Sequence, residues 1–364
     1  MKRHYLKSLH IDCLKWRHWV LIALLALVTA TRLSPALGWF YTSHVYPLIG
    51  SIISPVSGLV PFAIGDIFIF LSIVWSVLYP LIKRKKRAVS RVAEYLLWVY
   101  SWFYIAWGLN YSQPNIYRRA GVKPVEVNKA RLKAFAYQYA DSLNKLAEEV
   151  TVEDKDSAEL DEAEKAKSEE SILNEYRKMS GCGINKPFNL HPHAKTMAFS
   201  WLSSMAGVTG SMGPFFCEFT LNGDIRPHDY PATYAHEFAH FIGVANEGEA
   251  NFYSYIACTA SSHKAVRFSG YYHIFFHVVN DVFDILGQKE GERFLKHIRP
   301  DIIRLARSDR SYWLSKRSKL VNAAQDLILD LYLRGNNVAE GRRSYSQVIG
   351  LILAWENKNA TATL

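Results

Sequence analysis

The stretch YAHEFAHFIGVANEGEAN, residues 234–251, sets two histidines four positions apart, a glutamate directly after the first, and two further glutamates within the next nine residues. On an α-helix, residues four apart lie one above the other on the same face. His236 and His240 can therefore aim an imidazole nitrogen each at one ion, while Glu237 sits about 100° round the helix, offset from the ion but near enough to take a proton from a water beside it. A catalytic zinc site needs three protein ligands and one open position. The chemistry this spacing points to is hydrolysis: zinc lowers the pKa of a water to about 7, and Glu237 acts as general base.

The third ligand must come from the residues that follow. Gly243 lets the chain leave the helix within a turn. Asn246 stands where the HExxHxxGxxH class has its third histidine, and asparagine is a poor zinc ligand. The stretch instead resembles the glutamate zincins, in which a glutamate opening a second helix completes the site. "NEGEA" is similar to their Asn-Glu-Gly-x-Ala form and "EGEAN" to their Glu-x-x-Ala-Asp form, with Asn251 in place of the aspartate. Both comparisons favour Glu247. The connection from His240 is short for that class, which leaves Glu249 open as the alternative ligand or as a group orienting a histidine. An HExxH arises by chance in a chain of this size on the order of a few per cent of the time. The plainer alternative, a polar helix without metal, would crowd two histidines and three acids into 14 residues to no purpose.

Other residues are weaker candidates. Tyr345, in GRRSYSQVIGL, is a candidate proton donor or oxyanion stabiliser. PFFCEFTLN (214–222), bounded by Gly213 and Gly223, reads as a strand, either a core strand or one holding a substrate backbone. His191, His193 and His228 have no helically spaced partner and read as surface or turn residues. His273 and His277 stand four apart without an acid after the first, and read as a helix face. Cys182, Cys217 and Cys258 could form at most one disulfide, and free core thiols are the competing expectation.

These groups must be positioned by the rest of a 364-residue chain with a net charge of +10. The basic residues do not form one face for nucleic acid. They cluster in MKRHYLK and KWRHW near the start and in KRKKRAVSR at 83–91, flanking apolar runs, a pattern that belongs to membrane topology. Three spans are expected, at about 16–34, 61–82 and 92–110, each near the roughly 20 residues a bilayer requires. The first resembles a signal peptide in its basic leader but lacks a good cleavage site, and so is read as an anchor. Basic loops stay inside, so the N-terminus and 83–91 are cytoplasmic and the chain after about 111 is extracytoplasmic, in a multi-pass plasma-membrane protein.

The fold expected is mainly α: a membrane region over 1–111, a helix and charged linker over 112–170, and an α+β zincin-like domain with a small sheet over 171–364. Leu132, Phe135, Tyr139, Leu143 and Leu146 recur at helical steps within 126–150. Residues 151–170 are charged and nearly free of large apolar groups, a solvated helix or linker. AAQDLILDLYLRG (323–335) is a helical pattern with Gly335 as its stop.

Several segments together resemble an uncharacterised bacterial membrane family, domain of unknown function 3810: VYPLIGSIISPVSGLVPFAIGDI, FYIAWGLNYS, GPFFCEFTLN, AHEFAHFIGVANEGEANFYSYIAC and DLYLRGNNVAEGRRSYSQVIG, in that order. The resemblance implies an envelope protein with N-terminal spans and a zincin-like domain, and no known substrate. The function expected is a membrane-anchored zinc metallopeptidase acting on a peptide or protein substrate. The alternatives are an inactive zincin scaffold with a structural or partner-binding role and, behind it, an intramembrane protease. The spans hold little charge beyond Asp66, which speaks against a channel or transporter.

Overall fold

Apolar helices open the chain because residues 16–106 hold few groups that need water. The computed structural model describes residues 15–84, 86–150, 161–179, 181–188, 192, 194–336 and 347–362. Trp16–Arg32 (α1), Ile64–Lys83 (α4) and Lys86–Ala106 (α5) pack side by side, and between α1 and α4 lie Pro35–Phe40 (α2), a π-helical turn and Tyr46–Gly58 (α3). At one end of this layer Arg17 pairs with Glu94 at 2.8 Å and Arg91 donates to Tyr79 at 2.7 Å. At the other end the Arg32 guanidinium lies 5.0 Å from the Tyr104 ring centre. Of the described basic residues, Arg17 and Arg91 thus lie at the same end of this layer.

Among the described residues, Ile64–Lys83 alone is a helix long and apolar enough to cross a membrane by itself; α1 taken together with Pro35–Gly58 also qualifies, bent by 103°. One or two apolar N-terminal helices are therefore able to anchor the chain. The span expected at 92–110 differs: its helix starts among Lys86, Arg87, Arg91 and Glu94 and ends at Ala106, and Gly108–Ser112 is a 3₁₀ turn.

Beyond it come Ile116–Arg119 (α6), Lys129–Glu149 (α7) and Glu162–Lys178 (α8). All five apolar positions expected to line the helix of 126–150 are buried on α7. Residues 151–160 lie outside the described residues, whereas the second half of the charged segment is helical from Glu162, in an α8 that runs on past it and buries Ile172, Leu173 and Tyr176.

The sheet is small. Lys195–Thr196 (β1) is followed by Ser200–Ala206 (α9), Gly210–Gly213 (β2) and Glu218–Leu221 (β3). The order is β1-β3-β2, with β1 parallel and β2 antiparallel to β3. The strand expected over 214–222 is shorter than its apolar run: residues 214–217 turn, Cys217 adopts φ 47°, and only 218–221 pair. β3 is the middle strand, buried throughout. Its Glu218 binds Lys195 Nζ at 2.6 Å and accepts from Gly65 N at 2.6 Å, pinning the sheet to the start of α4.

Tyr230–Phe241 (α10) is buried at every position, and Glu247–Ala260 (α11), Lys264–His273 (α12), α8 and the sheet gather round it, with α7 packed behind α12. Phe275–Asp281 (α13), Gln288–His297 (α14), Pro300–Lys316 (α15), Lys319–Gly335 (α16) and Val348–Ala362 (α17) complete the chain, α16 stopping at Gly335 as its sequence predicts. One apolar core runs from Val28 to Ala354 and includes Trp107, Leu143, Phe238 and Ile352. Cys182, Cys217 and Cys258 are free thiols.

Candidate functional site

The last four carbonyls of a helix have no partner within it. At the end of α10 Gly243 takes φ 102°, and Gly243 N bonds His240 O at 3.0 Å while Val244 N bonds Ala239 O at 3.0 Å, a Schellman closure. Side chains from distant segments finish the work. Trp107 Nε1 donates to His240 O at 2.9 Å and Tyr46 OH to Phe241 O at 2.5 Å. Asn185 Nδ2 donates to Ile242 O at 3.1 Å and Gln113 Nε2 to Gly243 O at 2.7 Å.

The chain then reverses into α11. Asn246 caps it, its side chain accepting from Glu249 N at 3.0 Å, so this residue serves the backbone and is turned away from ligation. Glu247 is the first residue of α11, where the helix dipole favours a carboxylate. Its Oε2 lies 3.2 Å from His236 Nε2 and 3.4 Å from His240 Nε2, and the two Nε2 atoms are 3.1 Å apart. Glu249 faces the other way, accepting from Ile116 N at 2.8 Å and pairing with Arg119. Of the two glutamates, Glu247 shares the histidines' face and Glu249 fastens α11 to α6.

The outer nitrogens of both histidines are held. His240 Nδ1 is 2.6 Å from Val244 O, which can only accept, so Nδ1 carries the proton and Nε2 keeps its lone pair in the neutral ring. His236 Nδ1 is 2.7 Å from Asn251 Oδ1, which favours the same tautomer. Two lone-pair nitrogens and a carboxylate oxygen facing one another repel unless a cation or a proton lies among them. This donor set fits a divalent metal, and His236, His240 and Glu247 are the residues able to hold it.

Electrostatics follow the same geometry. Burial pushes the Glu237 carboxyl above its usual range, more than the neighbouring histidines pull it down. Burial opposes charge on His240, but Glu247 and Glu237 outweigh it and raise its pKa to about 9. Burial also works against the Glu247 carboxylate, yet His240 and His236 hold it well below the usual range. Glu237 lies beneath β2: a Cβ built on Gly210 would come within 2.4 Å of its Oε1.

Tyr345, His191 and His193 lie outside the described residues. His228 lies in the turn before α10, as its sequence context suggests, but it is not alone. It is mostly buried, with Nε2 3.0 Å from Asp309, which also binds Arg226 at 2.5 Å and accepts from Tyr272. His228, Asp229 and Asp309 are close enough to hold an ion, but Arg226 already neutralises Asp309, and the cluster reads as an ion network tying α10 to α12 and α15. His273 and His277 fall on two successive helices, because the α-helix breaks at Ile274 between α12 and α13. His273 instead puts Nε2 3.1 Å from Asn251 Oδ1 and its ring 6.0 Å from His236. Its support of Asn251 had no signal in its own neighbourhood. Asn251 had one: it falls four residues after Glu247, on the same face of α11.

No curated protein and no solved structure matches this chain. A family model described as "Protein of unknown function (DUF3810)" matches residues 41–353, most of the length and all of the residues around the histidines, and the chain belongs to that family.

Proposed function

We propose that the chain is a membrane-anchored, zinc-dependent metallopeptidase. The observation that carries this reading is the convergence of His236 Nε2, His240 Nε2 and Glu247 Oε2 within 3.1–3.4 Å, with both histidines held from behind. A zinc ion bound there supplies a Lewis acid for a peptide carbonyl and acidifies a water at neutral pH. His236, His240 and Glu247 hold the ion, and Asn251 and Val244 O fix the imidazoles. Glu237, free of ligation and with its proton affinity raised by burial, accepts a proton from the attacking water and returns it to the leaving amine.

Of the two roles open to 214–222, β3 fits that of a core strand, and the substrate strand proposed is its neighbour. β3 has neighbours on both sides and cannot take another strand, whereas β2 is at the sheet edge and runs over Glu237. An extended peptide added to β2 passes the candidate base. Gathering of Arg17, Arg91 and Lys83 at the far end of the α1–α4–α5 layer supports an orientation with that end cytoplasmic and the candidate site beyond the opposite face of the membrane.

The test uses purified full-length protein. Wild type is expected to contain about one zinc per chain and to cleave members of a broad peptide library. Glu237→Gln keeps the zinc and loses cleavage, and His240→Ala loses both. Zinc-replete wild type that cleaves nothing would instead favour a binding role for the same scaffold.

A further inference from the structure

α3 carries apolar side chains on both of its faces. Its inner face buries Tyr46, Gly50, Ser54 and Ser57, with Ile49 and Ile53 packed against the core. Its outer face carries Leu48, Ile52, Val56 and, at the C-cap, Leu59, each between 63% and 83% exposed. A soluble surface does not leave four large aliphatic side chains in one row without a cover. The direction of the helix says what the cover is. The Pro35–Gly58 segment turns 103° from α1, so if α1 runs along the membrane normal, α3 runs along the membrane surface.

α16 repeats the arrangement. Its start is tied to α9 through Ser318 N and Met205 O at 3.1 Å, and α9 adjoins the first turns of α4 through Phe199 and Phe70, ring centres 5.4 Å apart. Its end is tied to the inner ends of α1 and α5, where Arg32 donates to Gly335 O and Tyr104 OH donates to Asn336 Oδ1 at 2.8 Å. α16 therefore runs across the same end of the apolar layer. Leu320, Ala323, Ala324 and Leu327 form its exposed stripe, Trp201 of α9 projects beside it at 64% exposure, and Arg317 and Lys319 are exposed at its start.

We propose that α3 and α16 are seated in the headgroup layer of the bilayer from which α1, α4 and α5 emerge. Their aliphatic stripes meet the acyl boundary, and Trp201, Arg317 and Lys319 meet the headgroups. Continuity with the exposed apolar faces of α1, α4 and α5 selects a lipid surface over a protein partner. Because Tyr46 of α3 bonds the end of α10 directly, the candidate site stands about one helix diameter, roughly 10 Å, above the lipid. Resting on the peptidase reading, this narrows the substrate class to juxtamembrane segments of membrane-tethered proteins.

The test places an environment-sensitive fluorophore on single cysteines in a background freed of the native ones, in full-length protein reconstituted into lipid nanodiscs. The positions are Ile52→Cys, Leu327→Cys, Ile73→Cys within α4 and Arg293→Cys on the exposed face of α14. With nitroxide lipids, labels at 52 and 327 lose fluorescence to a nitroxide near the headgroup, the label at 73 loses it to a deeper one, and the label at 293 to neither. Quenching at 73 with none at 52 and 327 overturns the proposal and leaves the membrane anchor intact, and a second copy or another protein then covers α3. No quenching at 73 removes both. For the substrate class, a peptide that the enzyme cleaves is attached to lipid through short and long spacers. Cleavage is expected to fall as the spacer lengthens; equal rates for every spacer and for the free peptide overturn the juxtamembrane assignment while leaving the peptidase standing.

Discussion

Gly210→Ala tests whether the position of Glu237 is functional. Gly210 does not occupy the left-handed region, so alanine suits its backbone, and the whole effect must come from the added methyl. That methyl would lie 2.4 Å from Glu237 Oε1, 2.5 Å from Cγ and 2.7 Å from Cδ. Ordinary contact begins near 3.4 Å, so the two must separate by about 1 Å. Either the Glu237 side chain, itself only 5% exposed, rotates away, or the edge strand β2 lifts from β3. Both displace the proposed base from the strand proposed to hold the substrate. A misplacement of about 1 Å costs on the order of 100-fold in rate, near 2.7 kcal/mol of transition-state stabilisation. Overpacking itself costs about 1–3 kcal/mol of stability, less at an edge that can give. Zinc content should stay at the wild-type value, because Glu237 is outside the proposed ligand set of His236, His240 and Glu247. In a Glu237→Gln background Gly210→Ala should change the residual rate little, since the base is already gone. The assay is kcat/KM on a library-selected peptide alongside zinc stoichiometry, for the two single variants and the double. Wild-type kcat/KM in Gly210→Ala, or full additivity in the double variant, would refute the reasoning.

Glu249→Gln should leave zinc stoichiometry unchanged and lower the unfolding midpoint, because breaking a buried pair with Arg119 costs about 3–5 kcal/mol; loss of zinc without loss of stability would make Glu249 a ligand. Asn251→Ala releases His236 Nδ1 and should weaken zinc binding by about 10- to 100-fold in a competitive chelator titration, and an unchanged affinity would show that the bond orients nothing. Asp281, raised to about 6 by burial and then by Asp284, has a folded pKa above its reference value of 3.8, so its contribution to stability is complete below about 3.8 and is lost as pH rises through about 6. Asp281→Asn should therefore raise stability at pH 7 relative to pH 4 by on the order of 1 kcal/mol after solvent screening, and an unchanged difference in unfolding midpoint between the two pH values would count against it.

What could be read in the sequence is what depends on local spacing. The two histidines needed only a helix, and α10 supplies one. The apolar stripe of α7, the turn at Gly243 and the stop of α16 at Gly335 each follow from residue type and period. Asn246 was recognisable as a poor ligand, though not as the N-cap of α11. What escaped depends on pairing across the fold. The apolar run 214–222 contains its own turn, because Gly213 and Cys217 let β2 fold back on β3, and periodicity does not reveal which strand keeps a free edge. The different surroundings of Glu247 and Glu249 depend on Arg119 and Ile116, more than 100 residues before Glu249 in the chain. His228 looked isolated because its partner, Asp309, lies 81 residues away.

The same long-range pairing changes what the N-terminal helices are for. A membrane anchor needs only apolar length, and a separate domain over 171–364 could hang from any such anchor. Here the end of the histidine helix is completed by Tyr46 and Gln113, and His240 O by Trp107, all from the region preceding that expected domain. Each buried carbonyl left without its donor costs about 1–3 kcal/mol, and these three lie within four residues of a candidate ligand. The exposed aliphatic row of α3 lies on the back of the helix whose first residue makes one of these bonds. Whatever covers that row is thereby coupled to the position of His240. The apolar helices able to anchor the chain and the residues that would hold the ion share one apolar core and are joined by these hydrogen bonds.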